Sequence, residues 1–197
     1  MPFNYTKEFI NNALTYSQYR KGIDDALSLP PVDEAAEKMR HYIEKNVGLM
    51  NLYDSSYVIN QELKAIIDNA PTTTWMVITE GWCGDAAFNN PMLAAIEKFA
   101  PQKVKLLFVL RDTNLDFMDA HLTDGGRSIP KLIVLDSDRN ELGYWGPRPA
   151  PLQTLMAAWK AEGMGLKELI PKVREWYDAD DTKTLQQELA TLIKSYS

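Results

Sequence analysis

The chain has 197 residues, of which 45% are hydrophobic and 24% charged, and its formal net charge is −6. This size and composition are typical of one soluble globular domain with room for additional helices. The acidic balance argues against nucleic acid or an anionic membrane as the main partner. No apolar stretch approaches the ~18 residues of a membrane span, and the first residues lack the pattern of a signal peptide. We therefore predict a cytoplasmic protein.

The first 71 residues predict helices joined by short loops. Thr15 and Gln18 have the spacing of a capping box, in which the hydroxyl and the amide each satisfy a free backbone N–H at a helix start. Three stretches have a helical apolar period: residues 16–28, 34–46 and 58–70. We assign residues 1–71 to a helical N-terminal extension that packs on the core.

From residue 72 the pattern changes to short apolar runs that alternate with helical stretches. Strands are predicted at 74–79, 103–110, 127–136 and 141–146. Helices are predicted at 86–100, 115–122 and 151–163, the last as a covering helix. The order predicts an α/β fold with a central mixed sheet and helices on both faces. We assign residues 72–162 to this core and residues 163–197 to a C-terminal helical extension.

A short motif, Trp82-Cys83-Gly84-Asp85-Ala86, lies between the first strand and the first core helix. Its spacing is that of a C-x-x-C redox pair in which Ala86 replaces the second cysteine. Cys83 is the single cysteine of the chain, so an intramolecular disulfide is excluded.

Four features in order resemble the thioredoxin family over residues 72–162. They are Trp82-Cys83-Gly84 with Pro91, then Asp112-Thr113-Asn114, then the run Arg127 to Leu132, then Gly146. The longer strings "ITEGWCGDA", "LRDTN" and "GGRSIPKLIVLD" are closest to a bacterial thioredoxin-like branch with helical additions.

The resemblance implies a fold and a site. It implies a cis peptide bond before Pro130, which would offer the backbone of Ile129 to an extended partner segment. It implies that Trp82 forms an apolar wall beside Cys83, the candidate nucleophile. A cysteine at a helix N-terminus is favoured as thiolate by the backbone N–H groups and the helix dipole, and here that backbone is Gly84 to Ala86.

Charged neighbours set the reactivity of the predicted nucleophile. Asp85 lies two residues from the sulfur and opposes thiolate formation. Three cations are candidate electrostatic modulators that could offset this acid: Arg111, Arg127 and Lys131. The sequence leaves open which influence is larger.

Two departures from the family pattern limit the chemistry. Ala86 removes the resolving thiol, so a mixed disulfide cannot be closed internally. Val77 stands where many thioredoxins have a buried carboxylate that assists the second cysteine. A dithiol disulfide reductase is therefore excluded.

Our first functional hypothesis is a monothiol oxidoreductase, in which Cys83 forms a mixed disulfide with a protein or low-molecular-weight thiol. A second external thiol would then resolve this mixed disulfide. The alternative is a non-catalytic binding or adaptor module that uses the groove beside Pro130. A peroxide-reactive cysteine ranks last. If the added helices cover the Cys83 face and bury the sulfur, the enzyme hypothesis fails.

We predict no cofactor and no metal, because the two histidines, His41 and His121, are far apart and no Cys/His cluster is present. The added helices are a candidate homodimer surface.

Overall fold

Four strands form one mixed sheet in the computed structural model, which describes residues 3–197. The strands are β1 (Thr73–Thr79), β2 (Val104–Leu110), β3 (Lys131–Leu135) and β4 (Glu141–Trp145). Their spatial order is β2-β1-β3-β4. The β1–β2 pair is parallel, and β3 runs antiparallel to both of its neighbours. β1 is buried on both faces, which its near-continuous apolar sequence predicts.

Helices lie on both faces of this sheet, which confirms the predicted α/β class. The helices are α1 (Lys7–Asn12), α2 (Tyr16–Ser28), α3 (Glu34–Ser56), α4 (Gln61–Asn69), α5 (Gly84–Phe99), α6 (Leu115–Asp119), α7 (Ala150–Ala161), α8 (Leu166–Asp180) and α9 (Lys183–Lys194). The capping box of Thr15 and Gln18 is present at the start of α2. Within residues 3–197 no helix is long and apolar enough to cross a membrane.

The alternation of side chains along β1 divides the core into two layers. Trp75 and Val77 face the layer built by α2, α3, α4, α5 and α9. Met76 and Ile78 face the other layer, which contains α6, residues of the N-terminal segment and Cys83. The candidate nucleophile therefore belongs to an apolar cluster that the N-terminal segment helps to build.

A third apolar cluster lies outside the sheet layers, between α3, α5, α7 and α8. In it, Phe88 of α5 packs with Leu152 and Met156 of α7 and with Tyr177 of α8. The sequence predicted α7 as a covering helix, but the helix that packs with β4 on the sheet is α9. An amphipathic period identifies a buried face and leaves its partner open, which is the physical reason for this difference.

Candidate functional site

Cys83 is the N-cap residue of α5 and follows the carboxyl end of β1. Its side chain is buried, with 7% of the residue exposed. Sγ lies 3.3 Å from the carbonyl oxygen of Ile129. A carbonyl oxygen only accepts hydrogen bonds, so the sulfur carries the proton in this contact.

The surroundings of Cys83 favour the neutral thiol. Burial raises the pKa of the thiol to about 12, and the negative charge of Asp85 acts in the same direction. The backbone N–H groups of Ala86 and Asp85 and the cation of Arg148 lower the thiol pKa without offsetting the burial. The helix N-terminus therefore does not produce a thiolate here, because desolvation is the larger effect.

The chain has a cis peptide bond at Ile129–Pro130, next to the thiol, and a second one at Gly146–Pro147. Gly146 has φ +110°, and a Cβ at this position would overlap the carbonyl of Pro130. Only glycine fits this conformation and this close approach. The loop after β4 therefore packs against the loop before β3. That second loop contains Ile129, whose carbonyl accepts the hydrogen bond from Cys83.

Asp85, in the first turn of α5, is held by two other elements. Arg148, which follows the second cis bond, donates from Nε at 3.1 Å and from Nη2 to Oδ2 of Asp85. Tyr177 of α8 donates to Oδ1 at 2.9 Å. The side chain of Asp85 is 11% exposed and that of Arg148 is 15% exposed. Both carboxylate oxygens therefore have partners in a largely dry setting.

The partners of this ion pair are themselves fixed. Arg148 Nη1 donates to Oε1 of Gln153 at 2.9 Å. The ring of Tyr177 stacks on Phe88 at 4.2 Å between centroids, and its hydroxyl accepts a hydrogen bond from Asn89 at 2.9 Å. Burial raises the pKa of Tyr177 well above its ordinary value, and the charge of Asp85 adds to the effect. The C-terminal extension thus reaches the first turns of α5 through one buried tyrosine.

Trp82 forms a half-buried wall next to the thiol, and two neighbours hold it. The guanidinium of Arg111 lies 4.6 Å from the ring centroid, and the indole N–H donates to Oδ2 of Asp112 at 3.3 Å. Arg111 also donates to Oδ1 of Asp112 at 2.8 Å. Arg111 therefore stabilises the tryptophan wall.

The other two cations that the sequence offered as modulators of Cys83 have partners elsewhere. Arg127 makes an exposed ion pair with Asp119, with N–O distances of 2.6 and 2.7 Å. Lys131 donates to Thr123 at 3.0 Å and lies over the ring of Tyr144. The cation that acts on the thiol is Arg148, which the sequence reasoning missed; its only signal was an arginine between two prolines after the edge strand.

Residues of the N-terminal and the C-terminal extension pack near the site. Tyr5 and Phe9 of the N-terminal segment pack in the same apolar cluster as Cys83, and Tyr177 closes over Asp85. Ala86 is fully buried behind the sulfur and Gly84 is exposed.

Within residues 3–197, no group of three His, Cys, Asp or Glu side chains is placed to hold a metal ion.

Comparisons with known proteins agree with this architecture. A family model described as thioredoxin matches residues 32–160, more than half of the chain. A crystal structure of a protein of unknown function from Pseudomonas aeruginosa is similar at 15% identity and a TM-score of 0.63, over 99% of this chain and 100% of that one. An HIV epitope-scaffold is similar at 17% identity and a TM-score of 0.56, over 88% of this chain and 98% of that one. No curated protein matches the chain.

Proposed function

Because the chain belongs to the thioredoxin family, we propose that it is a non-catalytic binding module of that family, which holds an extended segment of a protein partner beside Pro130. One observation carries this proposal: the thiol of Cys83 is buried and donates its proton to the Ile129 carbonyl at 3.3 Å. A thiol in this state is a packing group and a hydrogen-bond donor.

The raised pKa has a kinetic consequence. With a pKa of about 12, the thiolate fraction at pH 7 is on the order of 10⁻⁵, against about 3% for a free thiol. The more basic thiolate is a better nucleophile, with a Brønsted coefficient of about 0.4–0.5, which recovers only part of this loss. Exchange at Cys83 is then about 100-fold slower than at a free thiol before steric protection is counted.

The groove beside Pro130 offers backbone hydrogen-bonding groups and an aromatic surface to an extended partner segment. The carbonyl of Ile129 has two lone pairs, so the bond from the thiol leaves one for a partner N–H. Residues 127–129 lie outside the strands, before β3, and an extended segment can form backbone hydrogen bonds with this loop. Trp82, fixed by Arg111 and Asp112, provides a rigid aromatic surface beside them.

Selection of linear peptides of about twelve residues from a random library tests the proposal, with binding measured on the whole protein. We expect selected peptides to lose affinity by about tenfold or more in Trp82→Ala. The matched control is Phe99→Ala, which removes a partly exposed aromatic side chain at the other end of α5. Equal loss in both variants, or peptides insensitive to both, would contradict the proposal.

A monothiol oxidoreductase is the second candidate. One observation favours it: the backbone N–H groups of Asp85 and Ala86 and the charge of Arg148 all act on the sulfur in the direction of the thiolate. This candidate predicts a mixed disulfide at Cys83 after mixing with glutathione disulfide at neutral pH, detected as a mass increase and lost in Cys83→Ser. The binding module predicts no adduct on the time scale in which free cysteine reacts completely.

A further inference from the structure

Two segments of the chain meet at the sulfur of Cys83, and a third packs against the second of them. The N-terminus of α5 carries it, the carbonyl of Ile129 accepts its proton, and the loop through Gly146 packs against the carbonyl of Pro130. Arg148 is two residues beyond Gly146 on that third segment. It donates to Asp85, which is two residues from Cys83, so a largely buried cation lies near the thiol.

Asp85 forms an ion pair with Arg148 and so neutralises its charge. Its Oδ2 accepts from both Nε and Nη2 of Arg148, while its Oδ1 accepts from Tyr177. The pair is largely removed from water, where opposite charges interact strongly and little is screened by salt. With Asp85 in place, the thiol is beside a nearly neutral pair whose carboxylate is attached to its own helical turn.

We propose that Asp85 and Arg148 form a charge lock on Cys83, in which Asp85 masks a cation that otherwise stabilises the Cys83 thiolate. Loss of the Asp85 charge, or its withdrawal from Arg148, unmasks the cation and increases the reactivity of Cys83 as a nucleophile. Arg148 acts through its charge on the sulfur and is a positioning residue. This inference goes beyond a binding function, because it assigns a thiol reactivity that the closed lock suppresses.

The opposite influences of the two residues on the thiol support the lock. Asp85 raises the pKa of Cys83 and Arg148 lowers it. Burial alone opposes a charged guanidinium, yet the hydrogen bonds and the charge of Asp85 outweigh it and raise the pKa of Arg148. Arg148 stays charged without this support as well, because a guanidinium is not deprotonated in proteins, so its charge is available to the sulfur once Asp85 is neutral.

The reaction that the open lock permits is thiol–disulfide exchange with a low-molecular-weight disulfide. The thiolate sulfur attacks one sulfur of the disulfide, a new S–S bond forms and the old one breaks, and the departing thiolate takes up a proton. The disulfide is the oxidant, and Cys83 is oxidised to the mixed disulfide.

A double-mutant cycle on the full chain tests the lock. The rate of reaction with dithiodipyridine, a neutral disulfide, is measured across pH for the wild type, Asp85→Asn, Arg148→Gln and the double variant. Asparagine keeps the shape and the hydrogen-bond acceptor of Asp85 without its charge. With an apparent pKa lower by about one unit, Asp85→Asn has about ten times more thiolate at pH 7. Because a less basic thiolate is also a weaker nucleophile, we expect it to react about threefold faster than the wild type. Arg148→Gln should react no faster than the wild type.

The decisive result is the double variant. We expect the gain of Asp85→Asn to disappear with Arg148→Gln and to survive with Arg148→Lys, which keeps the charge. A structure that is merely loosened would react faster with or without Arg148. The proposal is therefore overturned if the Asp85→Asn/Arg148→Gln variant reacts as fast as Asp85→Asn, or if folded Asp85→Asn reacts no faster than the wild type.

Tyr177→Phe provides a second route if Asp85→Asn does not fold. This change removes one hydrogen bond to Asp85 and keeps the ring stack on Phe88. We expect a smaller acceleration of the same sign, abolished by Arg148→Gln. Slower reaction, or acceleration that is independent of Arg148, would overturn the lock.

Discussion

The thiol of Cys83 donates its proton to the carbonyl of Ile129, the residue that precedes the cis Pro130, over a distance of 3.3 Å. A redox site of this family would use the cysteine at the helix N-terminus and the loop before the cis proline. Here these two groups form a hydrogen bond with each other. The same contact ties α5 to β3 across the end of the sheet, so the thiol has a structural role whatever the partner is.

Replacement of Cys83 by alanine removes the donor and leaves the Ile129 carbonyl without that bond. We expect the free energy of unfolding to fall by about 1–2 kcal/mol, from the lost hydrogen bond and the small cavity together. Denaturant unfolding followed by circular dichroism measures this change. Peptide binding beside Pro130 should persist, because the thiol is not the binding group; loss of binding in a folded Cys83→Ala would contradict the account.

The raised pKa of Cys83 also predicts how stability depends on pH. The unfolded chain releases this proton near pH 8.5 and the folded chain near 12, so the folded state binds more protons in between and stability falls as pH rises through that window. At about pH 9.5 the wild type should have lost about 1.4 kcal/mol relative to neutral pH through this group.

Comparison with Cys83→Ala isolates the effect, because the tyrosines with raised pKa values are common to both proteins. We expect the stability difference between the wild type and Cys83→Ala to shrink above pH 8.5. A difference that stays constant up to pH 10 would show that the thiol pKa is the same in the folded and unfolded states.

The hydroxyl of Tyr177 is a second point of stability. In Tyr177→Phe both Asp85 and Asn89 lose a buried partner, so we expect a destabilisation of about 1–3 kcal/mol. Tyr144→Phe is the matched control, since Tyr144 is 60% exposed and the same atom is removed. Its unfolding midpoint should be unchanged. Equal effects of the two substitutions would argue against a structural role for the buried network.

Gly146 gives the clearest backbone prediction. In Gly146→Ala the new Cβ would overlap the Pro130 carbonyl in a backbone conformation of positive φ, so the loop carrying Arg148 must move. We expect a loss of at least about 2 kcal/mol in unfolding free energy. Gly22→Ala, in open space on α2, should instead stabilise by about 0.5–1 kcal/mol. A neutral Gly146→Ala would contradict the close approach of the two loops.

Much of the fold was predictable from the sequence, because the apolar periods of the strands and helices are strong and the motifs occur in family order. The match of the family model to residues 32–160 and the mixed sheet confirm that part. The candidate thiol was predicted at the start of a helix, where it lies. Its protonation state was not predictable, because the contributions of burial, Asp85 and the helix N-terminus depend on side-chain directions.

The sequence also did not predict which cation acts on Cys83, because this too depends on side-chain directions. Arg127 and Lys131 flank Pro130 in sequence, but one side chain extends to Asp119 and the other lies on the sheet beside Tyr144. Arg148 is 65 positions from Cys83 and acts on it only because the Gly146 loop folds back. Similarly, a helical period could not decide whether α7 or α9 covers the sheet.

The rate of alkylation of Cys83 by iodoacetamide across pH shows whether the thiol is buried and protonated, when the native protein is compared with the unfolded chain. We predict a native rate at pH 7 that is at least about 100-fold below the unfolded reference and that is still rising at pH 10. A native rate that reaches a plateau below pH 7 and exceeds the reference would mean an exposed thiolate, and would contradict the central claim that Cys83 is a buried, protonated thiol.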